Sequence, residues 1–317
     1  MKDNREFLSS TRLTEFAVQL AKLPAIAFLC LFAGCSLGPY RYGTEQTSLL
    51  PKESPLSPPV LVGGPVAAMD ELEQIVNAPR DAFARWRNTA ESTKQDALIA
   101  AMAYLEDNDL HDVIVEVHHH DPAEQWKRLE ANPDIHPLWK YTDGAARIGT
   151  YAMFPPRVYR FDSYNPYTKT LSINSNNPAA AIYEAAKAKQ HSMVAWPGAY
   201  AAMRYVPLAP VGQQIAVSQD AMAYVQQNAD PTIEQAMVSH TFSNITGTAL
   251  LGSSALTPQL NEIPLVSAPA SQAIGIATGN IAGRLANPRS FDRVARNPQP
   301  DFNPKSGVSQ PSGPIYR

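Results

Sequence analysis

The sequence predicts an α+β domain, mostly helical with a small sheet, flanked by proline-rich segments without regular structure. Three observations lead there. Period-two alternation is confined to short stretches near 112–118 and 170–174, while apolar residues at helical spacing fill much of the remainder. The 28 prolines are unevenly placed, with clusters at 51–65 and beyond 287. A net charge of -3 with 17% charged residues offers neither a basic stripe nor an acidic tail, which argues against a nucleic-acid partner.

Residues 1–34 read as an export signal of the lipoprotein kind. Lys2, Arg5, Arg12 and Lys22 make a basic leader, and Leu23–Gly34 is an uncharged apolar run of twelve residues, short of the roughly 20 that a membrane-spanning helix needs. The run ends in Leu31-Phe32-Ala33-Gly34-Cys35, with small residues before the cysteine, as lipoprotein signal cleavage requires. Cys35 is therefore the expected lipidation site, and acyl chains on it would anchor the chain to a membrane. The alternative is a plain signal peptide that happens to contain cysteine. Cys30 leaves with the signal, so no thiol remains for a disulfide or a cysteine metal site. Ser36 rather than aspartate after Cys35 points to the outer membrane, facing the periplasm, if the cell sorts lipoproteins by that rule. Residues 35–66 hold six prolines and no sustained period, the pattern of a flexible tether.

The domain is expected over residues 67–286. Met69, Leu72, Ile75 and Val76 recur at helical spacing, and Phe83 and Trp86 follow Pro79. Ser92 is a candidate cap for a helix whose apolar face is Ala97, Leu98, Ala101, Met102 and Leu105. Val113, Val115 and Val117 alternate with Ile114 and Glu116, which predicts a strand. His118-His119-His120-Asp121 comes next. On an extended chain His118 and His120 point the same way, so they are candidate metal ligands. The competing reading is a polar loop in which Asp121 caps a helix over 122–129, with Glu124 completing a capping box. A helix is expected over 144–154 and a strand over 157–161, and Trp126, Trp139, Tyr141 and Tyr159 are expected in a core or lining a groove.

Between Asn165 and His191, Leu171 and Ile173 alternate with Thr170, Ser172 and Asn174. Asn177 then supplies an N-cap, Pro178 suits the first helical position, and an alanine-rich run continues to Lys189. A strand feeding such a helix is how zincin peptidases present HExxH, two histidines four apart on one face with a glutamate that activates water. The aligned positions here read Tyr183-Glu184-Ala185-Ala186-Lys187, so the glutamate stays and both histidines are replaced. Taken alone, one glutamate in an alanine-rich helix is no motif.

The wider stretch resembles a group of bacterial envelope proteins, best represented in planctomycetes, that carry a zincin-like HExGHAKD helix. The matching residues are Glu124-Gln125-Trp126, Trp139-Lys140-Tyr141-Thr142, Asp162 with Tyr164-Asn165-Pro166-Tyr167-Thr168, Pro178, Leu208-Ala209-Pro210 and Asp220-Ala221. The resemblance implies a zincin-like domain whose peptidase centre is degenerate, with Glu184 vestigial and no cofactor or zinc held in the usual way. Gln213 to Ala216 has no carboxylate where a third ligand is expected. The expected role is binding or structural, with an envelope protein or a peptide as partner, the peptide adding as a strand beside Leu171 to Asn174. The alternative is an active metal-dependent hydrolase in which Glu184 works with His118 and His120. A third possibility is a helical lipoprotein without the zincin arrangement, marked by the lack of a strand before the Pro178 helix.

Further helices are expected over 199–205, 215–227 and 232–251. Gly275, Gly279 and Gly283 form a small-xxx-small pattern within 267–285, suited to close helix packing or, less simply, to membrane contact. The tail, residues 287–317, holds six prolines and should be disordered. No phosphate-binding glycine loop or GxSxG elbow is present.

Overall fold

Short β-branched runs assemble one sheet in the computed structural model, which describes residues 40–43, 57–87, 92–206, 209–228 and 231–255. Its strands are β1 (Val60–Val62), β2 (Ile114–Val117), β3 (Ser163–Asn165) and β4 (Thr170–Ile173), in the order β1-β2-β4-β3. β1, β2 and β4 are parallel, and β3 returns antiparallel to β4. Val115 lies beside Leu171 and Val117 beside Ile173, so one face of the sheet is apolar. Glu116 lies beside Ser172 and Ile114 beside Thr170 on the other. Gly63 follows β1 so closely against β2 that a Cβ there would stand 2.0 Å from the His118 carbonyl oxygen. Only glycine fits that approach.

Helices make up most of the rest, so the fold is a mostly helical α+β one with a small mixed sheet. In chain order they are α1 (Ala67–Arg87), α2 (Lys94–Asp107), α3 (Pro122–Ala131), α4 (Pro137–Trp139), α5 (Ala145–Met153), α6 (Pro156–Tyr159), α7 (Pro178–Ser192), α8 (Pro197–Ala202), α9 (Ala209–Asn228) and α10 (Pro231–Ala255). A π-helical turn over Lys140–Gly144 leads into α5. The apolar face of the sheet packs under α2, α7, α9 and α10, and α7 lies at the centre of that layer. Its alanines fit this place, since they favour the helix and let neighbouring backbones come close. α7 starts as its sequence predicts: Asn177 Oδ1 accepts from the Ala179 N–H, Pro178 follows, and β4 precedes it directly.

α2 is capped one residue later than expected, by Thr93 and Asp96 in a reciprocal capping box. The Ser92 hydroxyl instead bonds the Asn176 carbonyl. α3 is capped by Asp121, and α5 falls inside the expected 144–154.

Several expectations need correction. The strand expected over 157–161 is the short helix α6, and strand pairing starts only at Ser163. α1 runs through Pro79 unbroken. Its apolar stripe of Leu72, Ile75 and Val76 is exposed, while Glu73 and Asn77 are buried against α6. Ion pairs decide that orientation, Asp70 with Arg157 and Glu73 with Arg160. Trp126, Tyr141 and Tyr159 are exposed rather than core, and Trp139 alone of the four packs against a buried cluster. The expected tether also contributes to the fold: β1 lies within 35–66, and Tyr40 is buried among Tyr104 and Tyr224. The signal segment, Cys35, the 267–285 glycine pattern and the tail lie outside the described residues.

Candidate functional site

Helix α7 carries Tyr183, Glu184 and Lys187, the three positions compared above with HExxH. Glu184 is nearly enclosed, and both of its oxygens are engaged. Oε2 accepts the Tyr164 backbone N–H at 3.0 Å, and Oε1 accepts the Lys187 ammonium at 2.6 Å. The same ammonium lies 5.1 Å from the centre of the Tyr183 ring, within cation–π range. One lysine thus puts its positive charge against both the carboxylate and the face of the phenol ring.

Tyr183 is 0% exposed. Its hydroxyl donates to Gln214 Oε1 on α9, and its ring meets the His240 ring of α10 edge-on at 4.9 Å. Burial, with the Glu184 charge beside it, pushes the phenol far above its usual range, so it stays a neutral donor. Gln214 falls inside the 213–216 segment that lacks a carboxylate, and here it serves as acceptor for Tyr183. His240 Nε2 lies 2.9 Å from the Asn244 amide nitrogen, and burial holds its imidazole down to about 4. His191, one turn beyond Lys187, points Nδ1 at the Lys187 carbonyl oxygen at 2.8 Å and is likewise pushed down to about 4 by burial. Both rings are neutral at pH 7.

Asp162 closes the end of β4. Its carboxylate accepts the Asn174 and Ser175 amides at 2.7 and 2.8 Å and the Ser175 hydroxyl at 2.6 Å. Burial pushes it up to about 6 even so, with the Glu184 charge adding to the rise.

The structure does not bring His118 and His120 to Glu184. Tyr164, which binds Glu184, lies two strands across the sheet from β2. Two strand spacings and three residues along put His118 about 14 Å from that amide. The two histidines also diverge. His118 adopts a left-handed φ of 51° and lies among charges of α1, α2 and α6, where burial and then Lys94 lower it to about 4. The His120 ring stacks on Tyr151 with centroids 4.5 Å apart. Among the described residues no three His, Cys, Asp or Glu side chains form a group that could hold a metal ion.

β4 is an interior strand, hydrogen-bonded by β2 on one side and β3 on the other. A peptide therefore cannot add beside Leu171 to Asn174 as the sequence suggested. Three residues before the Pro166 turn return as β3 and fill that edge, and short strands of this kind give little periodic signal.

A second polar cluster escaped the sequence reading. Asp143, in the π-helical turn, accepts the Tyr167 hydroxyl at 2.5 Å and the Tyr205 hydroxyl at 2.6 Å and pairs with Arg204 and Arg147. Burial by itself would raise this carboxyl; the two phenols and two guanidiniums outweigh it and hold it low. Its five members come from three separate segments, around Asp143 and Arg147, at Tyr167 and at Arg204-Tyr205, and no local spacing reveals that they meet. Compared with family models, with curated proteins and with solved structures, the chain matches none.

Proposed function

We propose that this chain is a lipid-anchored protein of the cell envelope, held by acyl chains on Cys35 at the outer membrane and facing the periplasm, whose zincin-like domain is a pseudoenzyme with a binding or structural role. The observation that carries the non-catalytic part is the state of Glu184. A general base must be reached by water or substrate, and Glu184 is nearly enclosed. Here one oxygen holds the backbone of β3 and the other holds Lys187, so the carboxylate works as a structural clamp between α7 and the sheet edge. A peptide partner joining the sheet would have to use the outer edge of β1 or β3, since β4 is filled on both sides.

Two measurements test the reading. The intact mass of protein taken from membranes should show acylation at Cys35 and loss of the first 34 residues. Cys35→Ala should abolish the acyl mass and release the protein from the membrane fraction; an unacylated natural protein would end the anchoring proposal. Lys187→Met should destabilise the fold by about 3 kcal/mol in urea denaturation at pH 7, because Glu184 loses its cation while remaining largely buried. An unchanged urea midpoint would show that Lys187 does not hold Glu184 in the fold.

A further inference from the structure

The spacer between lipid and fold is far shorter than the proline-rich stretch suggests. Tyr40 is buried: its hydroxyl donates to Asn108 Oδ1 at 2.8 Å, and Lys189 at the end of α7 donates to that hydroxyl at 3.0 Å and to the Arg41 carbonyl at 2.6 Å. Tyr42 continues the lock, stacking edge-on with Tyr40 and bonding Asn228 at the end of α9. Cys35 precedes Tyr40 by five residues, so even a fully extended chain puts it within about 18 Å of that lock.

The end of the domain that this lock defines has a particular surface. α2, α7 and α9 all finish there, at Asn108, Lys189 and Asn228. One turn beyond Lys189, Met193 is exposed, and Trp196 after it is 78% exposed, a large apolar area to leave in water. Trp196 also forms one wall of an open groove of about 250 Å³ shared with Trp139 and His136. The nearby lysines are paired, and the cluster around Lys169 keeps one net negative charge. Lys169 pairs with both Asp112 and Asp134 at 2.6 Å, and Lys189 pairs with Asp220 at 2.9 Å. An exposed indole suits the lipid–water interface, where amphipathic rings concentrate.

We infer that the end of the domain carrying Tyr40, Met193 and Trp196 sits on the bilayer surface, with Trp196 in the lipid–water interface, so that the short leash from Cys35 holds the domain flush against the membrane. The inference rests on the proposed lipidation of Cys35. It also fixes which parts face away: the opposite end, where Tyr151 bonds the His119 carbonyl and Met153 is exposed, would be the one presented to partners.

The sequence makes a clean test possible. Its only cysteines are Cys30 and Cys35, so after signal removal and acylation an introduced cysteine is the sole free thiol. Trp196→Cys and Met153→Cys, both at exposed positions, would be labelled with an environment-sensitive fluorophore in the full lipidated protein. The protein would be held in phosphatidylethanolamine–phosphatidylcholine vesicles carrying a nitroxide lipid quencher. Quenching should be at least about threefold stronger at 196 than at 153. Equal quenching at both positions in acylated protein would overturn the seating. A twenty-residue Gly/Ser insertion after Ser36 should bring the signal at 196 down towards that at 153; an unchanged signal would overturn the role of the leash. A mass measurement finding no acyl group would instead remove the anchoring reading itself, and the inference with it.

Discussion

Lowering the pH from 7 to 5 is expected to cost the fold about 3 kcal/mol, through imidazoles buried in the neutral form. His191 and His240 take a proton in the unfolded chain below about 6.5 but in the fold only below about 4. Unfolding therefore binds protons between those values, and stability falls as the pH drops through that window. Each ring contributes about 2 kcal/mol of loss at pH 5. His118 adds less, because its ring lies nearer solvent and is screened. Asp162 works in the opposite sense. Its carboxyl is protonated in the fold below about 6 and in the unfolded chain only below about 3.8, so acidification returns about 1 kcal/mol. Urea midpoints at the two pH values, with an unchanged slope, measure the net effect. His240→Gln keeps a polar partner for Asn244 and should shrink the difference to about 1 kcal/mol. An unchanged difference would show that His240 is not a buried neutral base.

Arg128→Met is expected to be the most damaging single substitution, at about 4 kcal/mol. Glu116 is 0% exposed and sits on the second face of the sheet, held by Arg128 at 2.7 Å and by the Gln125 amide at 3.1 Å to each oxygen. Methionine keeps most of the bulk and removes the charge, which strands a carboxylate in the interior. Pairing it with Glu116→Gln should restore most of the loss, since a neutral amide can still bond Gln125. Two losses that simply add would show that the ion pair is not the source. The same arrangement explains why Arg128, with its side chain 10% exposed, lies under α3 rather than in solvent.

Local chemistry was legible in the sequence. Alternation at 170–174, the Asn177 cap and Pro178 fixed β4 and α7, because each depends on residues within a few positions of one another. The run Tyr183-Glu184-Ala185-Ala186-Lys187, with one glutamate and no histidine, was equally plain. Long-range choices were not. Glu116 reads as the solvent side of a half-covered strand, and only the docking of α3 through Gln125 and Arg128 buries it. α1 has an apolar stripe that periodicity would place inside, yet two ion pairs to the α6 region turn its polar side inward. Tyr40 lies in a stretch with no periodicity, and its burial depends on Lys189 and Asn108, 149 and 68 positions away. At the centre of α7, the sequence shows which residues stand at 183, 184 and 187; that Lys187 clamps Glu184 while Gln214 meets Tyr183 is a matter of packing between helices.

The most direct test is zinc binding by a soluble form spanning Ser36 to Arg317, purified without a histidine tag and followed by calorimetry and metal analysis. With the Lys187 ammonium between Glu184 and Tyr183, the protein should be folded, carry no stoichiometric zinc and show no saturable uptake at micromolar metal. One equivalent of tightly held zinc, lost in Glu184→Gln, would contradict the pseudoenzyme reading and make Glu184 part of a working metal centre.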